Sequence, residues 1–82
     1  MKNESQTSAL QKSVEQAICQ YLDDLDGEVP CRLFQTVIAE VERPLIQTVL
    51  LHCNNNQSQT ASYLNINRST LRKKLKQYKI EH

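Results

Sequence analysis

The sequence predicts an all-α protein, and three observations carry that prediction. Glycine occurs once and proline twice in 82 residues, a composition suited to helices joined by short turns. Aromatic residues make up only 5% of the chain, sparse for the aromatic-rich strands of a small sheet protein. Apolar residues also recur at steps of three and four over long stretches, the period of a helix with one buried face.

The first such face is Leu10, Val14, Ala17, Ile18, Tyr21, Leu22 and Leu25. Ser8 followed by Gln11 resembles a capping box, so this helix is expected to start near Ala9, after a flexible polar leader over residues 1–7. The stretch "DDLDGE" should end it, with Gly27 supplying the left-handed backbone that helix ends favour. A second helix is expected to open around Pro30, because proline suits a first turn where its missing N–H is not needed. Phe34, Val37, Ile38, Val41, Leu45, Val49 and His52 share its face. Pro44 lies inside this run, yet the apolar phase continues from Val41 through Leu45 to Val49. One long helix kinked at Pro44 is therefore expected, with packing offsetting the lost hydrogen bond. "NNNQ" then marks a turn: Asn54 or Asn55 can close the long helix in the left-handed region, and Asn56 can N-cap a third helix over Gln57–Leu64. A tight turn at Asn65-Ile66-Asn67 leads to a fourth helix over about Arg68 to Gln77.

Charge is divided along the chain. Residues 1–53 carry four basic and eight acidic side chains, net −4, and residues 54–82 carry six basic and one acidic, net +5. Six of the fourteen residues of "INRSTLRKKLKQYK", Ile66 to Lys79, are Lys or Arg. The whole chain is at +1, so the asymmetry points to an acidic half that avoids polyanions and a basic half that meets them.

The basic run coincides with two short helices separated by a tight turn. Ala61 is small where the pair must approach closely, and Leu64, Ile66, Leu71 and Leu75 are apolar where the pair must pack. This is the pattern of a helix-turn-helix, whose second helix enters the major groove of DNA. Leu71, Leu75 and Tyr78 form its inward stripe. Asn67 and Arg68, at the helix start with Thr70 just behind, are the candidates for base edges: arginine can donate two hydrogen bonds to guanine, and asparagine pairs with adenine. Arg72, Lys73, Lys74 and Lys76 are placed for phosphates. Asn56 and Ser58 can add phosphate contacts at the start of the third helix.

Other function classes find less support. Cys19, Cys31 and Cys53 are odd in number and form no CxxC pair, so neither a disulfide nor a zinc framework is expected. His52 and Cys53 are neighbours whose side chains point in different directions on a helix. No cofactor, metal or catalytic constellation is expected, and the chain reads as a non-enzyme. No apolar run reaches the roughly 20 residues that span a bilayer, and the polar N-terminus lacks a signal-peptide core. A cytoplasmic protein without a membrane partner is expected.

"INRSTLRKKLKQY" resembles the recognition-helix signature of the Fis family, the bacterial nucleoid-associated factor for inversion stimulation. "LFQTVIAEVERPLIQTVL" resembles that family's long second helix, and "SVEQAICQYLDDLDG" its first. The resemblance implies a four-helix protomer whose two N-terminal helices, over residues 8–53, form an intertwined homodimer core, with the helix-turn-helix over residues 54–80 facing outward. Val14, Ile18, Tyr21 and Leu22 of the first helix would belong to that core. So would Phe34, Val37, Ile38, Val41, Leu45 and Val49 of the second. It further implies binding and bending of double-stranded DNA in the bacterial nucleoid, transcriptional regulation, and RNA polymerase as a further partner. By position, the family's base contacts fall on Asn67 and Arg68, and its phosphate contacts on Asn56, Ser58, Thr70, Arg72 and Lys73. The few polar residues before the first helix argue against the recombinase contact made by the family's β-hairpin arm.

Two other readings compete. One is the DNA-binding output domain of a σ54-dependent activator, which Met1 and the full-length second helix disfavour. The other is a helical dimer that binds an acidic protein or RNA, which the lack of aromatic stacking platforms disfavours for RNA.

Overall fold

The computed structural model describes residues 4–82 and contains four helices: α1 (Glu4–Asp24), α2 (Leu33–His52), α3 (Gln57–Leu64) and α4 (Arg68–Gln77). No strand occurs among the described residues. The chain divides into two compact units, one ending at Phe34 and the other running from Gln35 to His82.

In the first unit, α1 starts at Glu4, well ahead of the expected start near Ala9. The expected leader is thus helical from Glu4 onward, and its first three residues lie outside the described residues. Once a helix is nucleated, each added residue gains a hydrogen bond at small cost. The Glu, Ser, Gln and Thr residues before Ala9 are tolerant enough that nothing stops the helix at Ser8. Val14, Ile18 and Leu25 are half-buried, while Leu10, Tyr21 and Leu22 are exposed. After Asp24 the backbone reverses through Asp26 (φ 54°) and Gly27 (φ 89°). Glycine takes this conformation without steric cost, and aspartate is among the few other residues that tolerate it.

Pro30 does not open α2, which begins at Leu33. Neither Val29 nor Arg32 has a side-chain acceptor to fix the helix start, and the chain bends through Cys31 and Arg32 before helix forms.

In the second unit, α2 continues without a break through Pro44. The proline costs about 3 kcal/mol in a helix interior. Each fully buried leucine returns about 1.5–3 kcal/mol, and Leu50, Leu71 and Leu75 are all buried in the core behind this helix. That core gathers Ile46 and Leu50 of α2, Ala61 of α3, Leu71 and Leu75 of α4, and Ile80 beyond it. Leu64, Ile66 and Tyr78 pack against its edge, and Cys53 is buried as well.

The α2 residues buried here are not the face singled out from the sequence. Phe34 is 74% and Leu45 48% exposed, and Ile38 and Val41 are exposed too. Val37 and Val49 are half-buried. The buried positions Ile46 and Leu50, and Cys53 just past the helix end, repeat at four and three on a second side. Helix α2 therefore carries two apolar faces. The second one holds its own helix-turn-helix.

Candidate nucleic-acid interface

Asn56 N-caps α3: its backbone is extended (φ −82°, ψ 106°) and its side-chain Oδ1 accepts from Gln59 N at 3.0 Å. A cap of this kind satisfies one of the orphan donors of the first turn. The Asn56 carbonyl also accepts from the Thr60 hydroxyl at 2.8 Å. That bond accounts for a fully buried threonine, because a buried hydroxyl is tolerated only when paired.

The turn after α3 follows from Asn65, which sits in the left-handed region (φ 58°, ψ 43°). Its N–H bonds to Ser62 O at 3.2 Å, and the Ile66 N–H reaches back to Ala61 O at 3.0 Å. This is a Schellman motif, whose partner contact is apolar; here Ile66 packs against the cluster that contains Ala61. The helices α2 and α4 close in the same manner. Asn54 and Asn55 both have positive φ, with Asn54 N on Leu51 O and Asn55 N on Leu50 O at 3.0 and 2.9 Å. At the end of α4, Lys79 adopts φ 55°, and Ile80 N bonds to Leu75 O at 2.9 Å. Ile80 is thereby folded under the helix onto Leu75.

Helix α4 starts differently. Asn67 has the extended backbone of an N-cap (φ −81°, ψ 159°), but its side chain makes no capping bond. Instead its Oδ1 accepts from the Thr70 hydroxyl at 3.0 Å. The first-turn N–H groups of α4 thus lack a side-chain cap from Asn67, and the positive end of the helix dipole is open to an anion. Inward, Leu71 is 0% and Leu75 1% exposed. Outward, Asn67, Arg68, Arg72, Lys73 and Lys76 are exposed, as are Asn56 and Ser58 on α3, and Thr70 is half-buried.

Lys74 stands apart from the other cations expected at phosphates. Its Nζ lies 2.9 Å from Glu42 Oε1 on α2, and the same oxygen accepts from the Tyr78 hydroxyl at 2.6 Å. The Tyr78 bond, with Lys74 after it, holds the Glu42 carboxyl below its ordinary pKa. In return, the carboxylate and then burial hold the Tyr78 phenol above its own. One acid on α2 thus grips Lys74 of α4 and Tyr78 at its C-cap.

A family model described as "Bacterial regulatory protein, Fis family" matches residues 37–78. The chain belongs to the Fis family. The matched span runs from Val37 on α2 to Tyr78, so it contains both ends of the Glu42–Tyr78 bond and stops just short of Ile80. Similarity to individual Fis-family proteins extends further. The chain is 46% identical over 69 residues to a DNA-binding protein Fis of Glaesserella parasuis, covering 84% of this chain and 70% of that one. It is 45% identical over 69 residues to a putative Fis-like DNA-binding protein of Ralstonia nicotianae, covering 84% and 90%. A putative Fis-like DNA-binding protein of Xylella fastidiosa is 49% identical over 74 residues, covering 90% and 82%.

Several residues that shape this Fis-type helix-turn-helix escaped the sequence reading. Thr60 looks like any polar residue of a short helix. Glu42 looks like surface charge on an acidic helix, and no local pattern links it to Lys74 or Tyr78. Ile80 was legible in principle: an apolar residue five positions after Leu75 is the spacing of a Schellman contact. His52, grouped with the long apolar face, is exposed and sets its ring 5.6 Å from that of Tyr63 instead.

Proposed function

We propose that this chain is a sequence-tolerant DNA-binding and DNA-bending homodimer that acts in the bacterial nucleoid as an architectural protein and transcriptional regulator. The observation that carries the reading is the division of α4: a fully buried Leu71–Leu75 seam backs an exposed row of Arg68, Arg72, Lys73 and Lys76. Asn67 and Arg68 project from the helix start and serve as the base-reading pair. Arg72, Lys73 and Lys76 neutralise phosphates, joined by Thr70 and by Asn56 and Ser58 at the start of α3. Relatives whose printed names are DNA-binding protein Fis support the choice of ligand.

The homodimer rests on exposed apolar area. Leu10, Tyr21 and Leu22 on α1 and Phe34, Ile38, Val41 and Leu45 on α2 are uncovered in the single chain, more than a scatter of lone surface residues. A second copy covers them and sets two α4 helices at a fixed separation, so that both enter the major groove of one duplex. Bending then supplies the selectivity, because the cost of deforming DNA depends on its sequence. RNA polymerase is a further partner in this reading. The protein carries out no chemistry of its own and resides in the cytoplasm.

A salt titration of duplex binding, paired with sedimentation, tests the reading. A dimer whose affinity for a short duplex falls steeply with salt is expected. A stable monomer at micromolar concentration, or affinity insensitive to salt, would overturn it.

A further inference from the structure

Among the cations of α4, Lys74 is the one bound to an acid of its own chain among the described residues. It is half-buried, with 29% of its side chain exposed against 28% for Glu42. The neighbours Arg72, Lys73 and Lys76 are all exposed. Glu42 is further engaged by Tyr78, one turn beyond Lys74, so the carboxylate cannot follow Lys74 outward without breaking its shorter bond. The acid and its tyrosine hold one end of the lysine in place.

We propose that Glu42 is a positioning and specificity-determining residue: it withholds Lys74 from the DNA backbone and uses it to fix the pose of α4. This rests on the DNA-binding reading above and deepens it. Every lysine that reaches a phosphate adds affinity without regard to sequence, because the gain comes from released counterions. A lysine tied to its own protein adds none. It instead secures the helix that carries Asn67 and Arg68, and base discrimination depends on that helix keeping a fixed angle in the groove. Paired with Glu42, the Lys74 charge is neutralised on its own protein. Non-specific affinity is lower as a result, and the ratio of specific to non-specific binding higher.

The salt slope of binding reads this directly. The full chain would be titrated with salt on a short duplex as wild type, Glu42→Gln, Lys74→Ala and the double variant. Glutamine keeps an acceptor for Tyr78 and removes the charge that holds Lys74. With Lys74 freed, the slope of log K against log salt should steepen by about 0.9 for each protomer engaged. Affinity for random duplex should rise more than affinity for a preferred site. Lys74→Ala should leave the slope at the wild-type value, and the double variant should match Lys74→Ala.

A slope that becomes shallower by about 0.9 per protomer in Lys74→Ala alone would overturn the inference, since Lys74 would then be a phosphate ligand. That variant needs no change at Glu42, so it decides even if Glu42→Gln folds poorly. A steeper slope that persists in the double variant would also overturn it, because general loss of negative charge would be the cause. Failure of the underlying reading is a separate outcome: a wild-type chain that binds no duplex at low salt removes the DNA reading and this inference with it. Failure of the clamp alone appears as Tyr78 titrating at the same pH in wild type and Glu42→Gln, followed by its ring resonances.

Discussion

The Tyr78 hydroxyl donates to Glu42 Oε1 at 2.6 Å, joining the C-terminal end of α4 to the middle of α2. Hydrogen bonds to an ionised acceptor are shorter and stronger than neutral ones. Leu71 and Leu75 of the same helix are buried, so α4 is held by packing along its length and by a charge-assisted bond near its end.

The bond has a pH window. Glu42 is held below its ordinary value by Tyr78 and then Lys74. Its contribution to stability is therefore complete above about pH 4–5, the unfolded carboxylate range, and is lost as pH falls through the lowered folded value. Tyr78 is held above its ordinary value by the Glu42 carboxylate and by burial. Its contribution is complete below about pH 10 and is lost as pH rises through the raised folded value. Tyr78→Phe should cost about 1 kcal/mol at neutral pH and flatten the alkaline arm of stability against pH. Urea denaturation across pH measures both, and an unchanged alkaline arm would count against the bond.

Arg68→Ala should cost on the order of 1–3 kcal/mol at a preferred site and flatten discrimination between sites. Arg68 is exposed at the first position of α4, beside a cap residue whose side chain is not used for capping. Competition between a preferred and a random duplex is the measurement. Equal losses on both would remove its base-reading role.

Lys73→Ala should weaken binding uniformly across sequences and make the salt slope shallower by about 0.9 per protomer engaged. Lys73 is exposed and next in sequence to Lys74, so the two alanine variants form a matched pair. An unchanged slope in Lys73→Ala would exclude it from the phosphate contacts.

Ile80→Ala should destabilise the second unit by about 2–5 kcal/mol, the usual cost of truncating a buried isoleucine. Ile80 is only 4% exposed despite lying beyond the last helix, and it seals the Lys79 turn. A loss under about 0.5 kcal/mol, typical of a surface site, would show that this turn does not hold the core.

Much of the protein was legible in its sequence where the chemistry is local. The bounds of α3 follow from Asn56 and Asn65, because caps and left-handed turns depend on a few neighbouring residues. The inward stripe of α4 follows from spacing alone. The start of α1 and the start of α2 were misplaced for the opposite reason: a helix end is weakly specified when the flanking residues tolerate helix, as before Ala9, or when no neighbour can cap it, as at Val29 and Arg32.

By itself, the sequence determined that this is a helical protein with a basic recognition helix, since periodicity, turn chemistry and charge division are all properties of adjacent residues. The tertiary structure alone decided which of the two apolar faces of α2 holds the helix-turn-helix. It also decided that a lysine counted among the DNA contacts is tied to Glu42. Both depend on side chains far apart in the chain being brought within a few ångströms, and burial and ion pairing act through that distance in space.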